Sequence, residues 1–147
     1  MQMYKNDPDT EMIKKLLVAP ESEYMNEAQL VFFKERLIAL HDSTREHIRQ
    51  AKEQIMSPPD LSDISDRATW EEQCTLLMRI VDREQKLLPK IQQALERIRL
   101  GEYGYCLESG EPIGIERLLA RPTAEYCADV KVFSEHKEHL YKKEREF

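Results

Sequence analysis

Two apolar seams separated by a proline pair constrain this 147-residue chain more than any other feature. In each seam, mostly apolar side chains recur at alternating steps of three and four residues, which places them on one face of a coiled-coil helix. The first seam consists of Leu30, Phe33, Leu37, Leu40, Thr44, His47 and Ala51. The second consists of Trp70, Cys74, Leu77, Val81, Glu84, Leu88, Ile91, Leu95 and Ile98. Between them, Pro58 and Pro59 end the first helix, because proline cannot continue the hydrogen-bonding ladder.

The two seams predict an antiparallel helical hairpin, since neither can bury its apolar stripe alone. Asn26 is the expected N-cap of the first helix, with Gln29 completing a capping box. Gly101 is the expected C-cap of the second helix. Arms of about thirty residues at a rise of 1.5 Å give a rod of roughly 45–50 Å. Pro89 lies inside the second arm and predicts a bend there, because it removes a helical hydrogen bond.

The predicted fold is mainly α: a long coiled-coil hairpin projecting from a small globular lobe. Charged residues make up 34% of the chain and hydrophobic residues 41%, which suits an elongated, well-solvated helical protein. We expect residues 1–33 to belong to the lobe and residues 34–100 to form the hairpin, with its tip near 57–68. Residues 101–147 are expected to contain a degenerate zinc-finger segment and a C-terminal helix that begins near Ala128.

Charge and composition exclude several classes of function. The net charge of -6 argues against a general nucleic-acid binder, whose affinity depends on a surplus of Lys and Arg. No apolar run approaches the roughly 20 residues of a membrane span, and the N-terminus carries no secretory signature, so we expect a cytoplasmic protein. An enzyme is not expected either, because no nucleophile–base pair, phosphate loop or complete metal site is visible.

Two aspartates stand at the predicted tip of the hairpin. Asp63 and Asp66 are three residues apart, so they share one face at the start of a helix. One interpretation is structural: Asp63 caps the helix and Asp66 complements its dipole. The other is functional, because carboxylates at the end of a long rod can enter a deep channel. There they would perturb a bound magnesium ion or contact mobile catalytic elements.

The third region contains a broken metal site. Two Cys-x-x-Cys pairs about 15–20 residues apart are typical of a zinc ribbon. Here the corresponding pairs are Cys106 with Ser109 and Cys127 with Val130, so the spacing is right and two ligands are missing. We therefore expect a lobe without zinc, held by apolar packing instead. The candidates for this packing are Tyr105, Ile113, Ile115, Leu118, Leu119, Tyr126 and Phe133. An alternative Cys2His2 set would recruit His136 and His139.

Basic residues are scattered along the second half of the chain: Arg83, Lys90, Arg117, Arg121 and Lys131. A hairpin would bring the base of its second arm close to the lobe, so some of these residues can converge into an anion site. The alternative is an ordinary solvated surface.

Five segments of the chain carry a family resemblance. They are Glu23-Tyr24-Met25-Asn26-Glu27-Ala28-Gln29-Leu30, Asp63-x-x-Asp66-Arg67-Ala68, Tyr103-Gly104-Tyr105-Cys106, Ile113-Gly114-Ile115-Glu116-Arg117-Leu118 and Ala120-Arg121-Pro122-Thr123-Ala124. Together they resemble the DksA/TraR family of regulators of the RNA polymerase secondary channel. The likeness runs from about residue 21 to residue 140. The tip motif and the Arg-Pro-Thr-Ala segment are specific when they occur in this order.

The resemblance implies a factor that inserts its hairpin into the polymerase and destabilises open complexes, notably at ribosomal RNA promoters, while amplifying the effect of ppGpp. It implies that Asp63, Asp66 and Ala68 determine activity and that Arg117 contacts the polymerase. The implied ppGpp-binding positions are Arg83, Leu87, Lys90, Arg121 and Lys131. Loss of two finger cysteines implies a factor that folds and works without zinc. We also expect a monomer that does not contact DNA directly.

Two other interpretations remain open. A transcript-cleavage factor of the Gre type also carries acidic residues on a hairpin tip, although the spacing of Asp63, Asp66 and Ala68 favours the first family. Alternatively, the hairpin is a structural adaptor whose aspartates only cap a helix.

Overall fold

The computed structural model describes residues 8–59 and 63–128, and these confirm the predicted mainly α fold. Its helices are α1 (Pro8–Val18), a 3-10 helix (Glu21–Glu23), α2 (Glu27–Met56), α3 (Ile64–Leu100) and α4 (Ile115–Ala120). The predicted C-terminal helix lies outside the described residues. No helix in the described ranges is both long enough and apolar enough to cross a membrane.

Helices α2 and α3 pack against each other as the predicted antiparallel hairpin. Asn26 caps α2 by accepting a hydrogen bond from the Gln29 N–H at 2.9 Å. The Gln29 side chain in turn accepts a hydrogen bond from the Met25 N–H, one residue earlier than a standard capping box. Gly101 ends α3 in the left-handed conformation, with φ of 75°, as predicted. At 1.5 Å per residue, α2 spans about 45 Å and α3 about 55 Å.

The first seam differs from the prediction at one step. His47 is wrong as a seam residue: its side chain is 59% exposed, whereas Ile48 is 8% exposed. Relative to Thr44, a residue three positions on is displaced by about 60° to one side of the helix and a residue four positions on by about 40° to the other. Both positions border the seam, and burying isoleucine is more favourable than burying histidine. The second seam follows the prediction, with its members buried or half-buried.

Pro89 lies within α3, which continues as one helix from Ile64 to Leu100. The bend predicted at Pro89 stays a prediction. The predicted boundary between lobe and hairpin, after residue 33, also stays a prediction.

The lobe lies at the open end of the hairpin and shares its core. Phe33 of α2 and Ile91 of α3 are fully buried together with Tyr103 and Leu118 of the lobe. Tyr103 lies two residues after the C-cap glycine, and its hydroxyl donates a hydrogen bond to the Pro122 carbonyl at 2.7 Å. Since one core serves both parts, the lobe fixes the base of the hairpin.

The predicted packing of the lobe is only partly confirmed. Ile113 and Leu118 are buried, and Ile115 and Leu119 are half-buried. Tyr105 and Tyr126 are wrong as core residues, since each is 37% exposed. The buried residues of the lobe include Tyr103, Cys106 and Ala124 instead. Cys106 and Ala124 are small, and the buried Tyr103 hydroxyl has a hydrogen-bond acceptor in the Pro122 carbonyl. Phe133 lies outside the described residues.

Candidate functional site

The end of the hairpin farthest from the lobe presents two carboxylates. Asp63 is the N-cap of α3, and its side chain accepts a hydrogen bond from the Ser65 N–H at 3.2 Å. Asp66 lies in the first turn, where a negative charge complements the helix dipole. The side chains of Asp63, Asp66 and Ala68 are all exposed. Capping therefore accounts for the position of Asp63 and leaves both carboxylates accessible to a partner.

Two apolar side chains border this acidic tip. Met56 at the end of α2 is 82% exposed, and Ile64 at the start of α3 is 83% exposed. Residues 60–62, between them, lie outside the described ranges. This pair was not predicted from the sequence, although its only signal, apolar residues next to a proline-rich turn, was present there. The tip thus offers apolar as well as charged contacts.

A second candidate site lies on one face of α3, in the part of the helix next to the lobe. Arg83, Leu87 and Lys90 follow one another at steps of four and three residues and line a cavity of about 440 Å³. Lys86 lies at the same cavity and forms an ion pair with Asp82, with Nζ and Oδ2 separated by 3.1 Å. The structure therefore brings together three of the predicted anion-binding residues.

Glu84 also lines this cavity and partly offsets its positive charge. Its side chain is only 16% exposed, and its Oε1 lies 3.9 Å from both Arg83 Nη2 and His47 Nδ1. From the sequence, Glu84 was predicted only to be a member of the second seam. In the structure it joins the two arms of the hairpin through His47.

The remaining basic residues do not all share this surface. Arg117 lines a separate depression of about 930 Å³ beside α1, and its Nε donates a hydrogen bond to the Tyr126 carbonyl at 3.0 Å. Arg121 is exposed immediately after α4. Lys131 lies outside the described residues. Arg117 is thus separated from the cavity lined by Arg83 and Lys90.

The degenerate finger retains its turn. The Ser109 N–H donates to Cys106 Sγ at 3.5 Å, and Ser109 Oγ lies 3.8 Å from Cys127 Sγ. Cys74, Cys106 and Cys127 are all free thiols. Burial raises the pKa of Cys106, but hydrogen bonds from the Ser109 side chain and from nearby backbone N–H groups outweigh this effect and lower it to about 6. Local hydrogen bonds thus stabilise the thiolate.

The residues of the finger do not fit a four-thiolate zinc site. Of the three positions that the structure describes, Cys106 and Cys127 are thiols and Ser109 is a neutral hydroxyl. The fourth position, Val130, has no donor atom. Within the described ranges, no three His, Cys, Asp or Glu side chains cluster closely enough to hold a metal ion. His136 and His139, the alternative ligands, lie outside these ranges.

A long helical hairpin with an acidic tip, joined to a lobe with a degenerate zinc-ribbon turn, defines the structural class. Comparison with known sequences agrees. Residues 29–98 match the family model for the N-terminal domain of DnaK suppressor protein DksA. Residues 101–136 match the model for the prokaryotic dksA/traR C4-type zinc finger, although only two cysteines occur there.

Curated relatives and a solved structure extend the match over most of the chain. The RNA polymerase-binding transcription factor DksA of Caulobacter vibrioides is 36% identical over 136 residues, which cover 90% of this chain and 96% of the relative. The Escherichia coli protein of the same name is 40% identical over 120 residues, covering 81% and 80%. The structure of transcription factor DksA2 from Pseudomonas aeruginosa is 41% identical, with a TM-score of 0.74, and covers 86% of this chain and 98% of that one. The chain belongs to the DksA family.

Proposed function

We propose that this protein regulates transcription by binding RNA polymerase and inserting its hairpin through the secondary channel, where it destabilises open complexes. The observation that carries the proposal is the pair of exposed carboxylates, Asp63 and Asp66, at the end of a helical rod about 45–55 Å long. Relatives named as RNA polymerase-binding transcription factors support the choice of partner. The protein acts as a cytoplasmic monomer, is not an enzyme and does not contact DNA directly.

At the end of the channel, the two carboxylates act by charge. A carboxylate close to a catalytic magnesium ion changes the local field and competes for its coordination sites. Met56 and Ile64 add apolar contact area beside these charges and help to hold the tip in place. Ala68 is small and exposed on the same end of α3, so it allows close approach of the polymerase.

The cavity on α3 supports a second part of the proposal, potentiation by ppGpp. Arg83 and Lys90 supply positive charge for phosphates, and Leu87 supplies an apolar surface. Arg121 and Lys131 complete the set of proposed ppGpp-binding residues. Arg117, which lines a different depression, contacts the polymerase directly. In this arrangement ppGpp lies between the factor and the polymerase, and each protein supplies only part of its binding site.

The degenerate finger supports the third part, independence from zinc. Structural zinc contributes about 10–16 kcal/mol to the folding of small finger domains, so its loss needs replacement. In this lobe, Tyr103 and Leu118 are buried against Phe33 of the hairpin and provide apolar packing. The Ser109 N–H and hydroxyl provide polar contacts to the two remaining thiols. The lobe can therefore fold when zinc is scarce.

In vitro transcription from a ribosomal RNA promoter tests the three parts together. The wild-type chain is expected to reduce transcription, more strongly with ppGpp, and to act equally with and without a chelator. Lys90→Met should weaken the response to ppGpp, whereas Lys52→Met, on α2 and outside both described cavities, should not. Stoichiometric, tightly held zinc in the purified protein, or loss of folding on chelation, would contradict zinc independence alone. No effect of wild type on transcription would contradict the whole proposal.

A further inference from the structure

Arg97, near the end of α3, is a buried cation. It is 7% exposed, and Nε, Nη1 and Nη2 are all buried without a hydrogen bond to any of the residues that the structure describes. Arg99, two residues further on, is the opposite case: its exposed guanidinium forms an ion pair with Glu96. An unpaired charge is among the most unfavourable groups to bury, and in native proteins such a group calls for an explanation.

The surroundings of Arg97 contain a second cation. Arg36 of α2 donates a hydrogen bond from Nη2 to the Leu119 carbonyl at 3.4 Å. Burial raises the pKa of the Tyr103 phenol, and the positive charges of Arg97 and Arg36 act in the opposite direction. Among the ion pairs within residues 8–59 and 63–128, none includes either arginine. The junction between hairpin and lobe thus carries positive charge that no described carboxylate neutralises.

The position of Arg97 relates it to the cavity on α3. Arg83, Leu87, Lys90, Ala94 and Arg97 follow one another at steps of four, three, four and three residues. These steps place all five within about 80° of one another around the helix. The lobe covers Ala94 and Arg97, whereas Arg83 and Lys90 remain exposed at the cavity. Arg97 lies seven residues from Lys90, which is about 10 Å along the helix axis.

We propose that Arg97 is an affinity-determining residue for the multiply phosphorylated nucleotide that binds at this cavity, on which it acts through its electrostatic potential and without contact. This inference rests on the proposed function. A buried charge is screened less by salt than an exposed one, so its potential extends along the helix to the phosphates. Burying Arg97 therefore has two opposite effects. The unpaired charge lowers the stability of the folded chain, and it strengthens the binding of an anion at the cavity.

The size of the effect follows from distance and dielectric. One unit charge about 10 Å from one phosphate charge changes affinity by about tenfold at an effective dielectric constant of about 20. Arg97→Met removes the charge and keeps a long apolar side chain. It is therefore expected to weaken ppGpp binding about tenfold and to raise the unfolding temperature by about 2–4 °C or more. If Arg97 had only a structural role, Arg97→Met would lower both the affinity for ppGpp and the unfolding temperature.

The experiment measures binding of fluorescently labelled ppGpp to the complex of RNA polymerase with the full chain, and thermal unfolding of the chain alone by circular dichroism. Arg99→Met is the matched control and should bind ppGpp within about twofold of wild type, because that charge is exposed and paired. Arg97→Lys keeps the charge and should recover most of the affinity. The loss in Arg97→Met should persist between about 50 and 300 mM salt, whereas the loss in Lys90→Met should shrink.

Three results would overturn the inference. If Arg97→Met binds ppGpp as wild type does, the buried charge has no role at the site. If Arg97→Met and Arg97→Lys lose affinity and stability together, Arg97 is only structural. If wild type adds no ppGpp site to the polymerase, the ppGpp part of the proposed function fails and this inference fails with it. The first two results leave the proposed function intact, so the two failures are distinguishable.

Discussion

The hydroxyl of Tyr24 donates a hydrogen bond to the carbonyl of Gly104, a residue 80 positions later in the chain. The same hydroxyl accepts a hydrogen bond from the Gly114 N–H at 3.0 Å. One side chain before α2 therefore joins two loops of the degenerate finger. Burial raises the pKa of this phenol, so Tyr24 stays neutral and keeps its donor throughout the physiological range.

Removing this hydroxyl should loosen the lobe. Tyr24→Phe leaves the Gly114 N–H without its acceptor and removes one of two donors to the Gly104 carbonyl, which still accepts from the Ile113 N–H. We therefore expect the free energy of unfolding to fall by about 1–3 kcal/mol. Tyr126→Phe, at a more exposed ring, is the control and should change it by less than about 0.5 kcal/mol. Urea denaturation measures both. Equal stability of the two variants would show that the Tyr24 hydrogen bonds contribute little.

Gly104 faces a second constraint at the same place. Its φ is +92°, and an added Cβ would lie 2.8 Å from both Cγ and Sδ of Met25. Gly110 also has a positive φ, of +73°, but an added Cβ there meets nothing within 4 Å. In both Gly104→Ala and Gly110→Ala, backbone strain should lower the free energy of unfolding by about 1 kcal/mol. In Gly104→Ala, the clash with Met25 should lower it by about 1–3 kcal/mol more. Similar unfolding midpoints for the two would contradict this packing.

The corrected register of the first seam is also testable. Ile48→Ala removes buried apolar volume between the arms and should lower the free energy of unfolding by about 2–4 kcal/mol. The neighbouring His47→Ala should change it by less than about 0.5 kcal/mol, since His47 is exposed and its Nδ1 lies 3.9 Å from Glu84 Oε1, beyond hydrogen-bonding distance. Thermal or urea unfolding distinguishes them. A larger loss at His47 than at Ile48 would restore the register predicted from the sequence.

The hairpin could be predicted because its signals are local and repeated. Heptad spacing fixed the two seams, Asn26 and Gly101 marked helix ends, and neither conclusion required knowledge of distant contacts. The step from Thr44 to Ile48 was missed because an ideal helix drifts relative to a strict seven-residue repeat. Where two neighbouring positions border the seam, packing against the partner helix decides between them.

The lobe and the anion surface were harder to predict, because they depend on contacts between distant parts of the chain. Tyr103 and Arg97 are buried only because the lobe folds onto the base of the hairpin. Nothing in the sequence next to Arg97 distinguishes it from Arg99, which is exposed. The grouping of Arg83, Leu87 and Lys90 was suggested by family resemblance, and their helical spacing agrees with it.

The thiol of Cys106 provides a test of the finger without metal. Its pKa of about 6 is below the value of about 8.5 expected in the unfolded chain. The thiolate therefore stabilises the folded state fully above about pH 8.5, and this contribution is lost as the pH falls through about 6. In a Cys74→Ser/Cys127→Ser variant, thiolate absorbance at 240 nm should titrate with a midpoint near 6. A midpoint near 8.5 would show that the local hydrogen bonds do not hold the thiolate.

The central claim is that the two tip carboxylates act on the polymerase by their charge. Asn caps helices about as well as Asp, so Asp63→Asn/Asp66→Asn should keep the helix and remove only the negative charge. The control is Glu71→Gln/Glu72→Gln, at exposed acidic positions further along α3.

The most direct measurement is the half-life of open complexes at a ribosomal RNA promoter with each purified chain. Wild type and the Glu71→Gln/Glu72→Gln control should shorten it equally, whereas the Asp63→Asn/Asp66→Asn chain should leave it close to the value for polymerase alone. If the Asp63→Asn/Asp66→Asn chain shortens the half-life as strongly as wild type, the tip charge has no role and the proposed mechanism is contradicted.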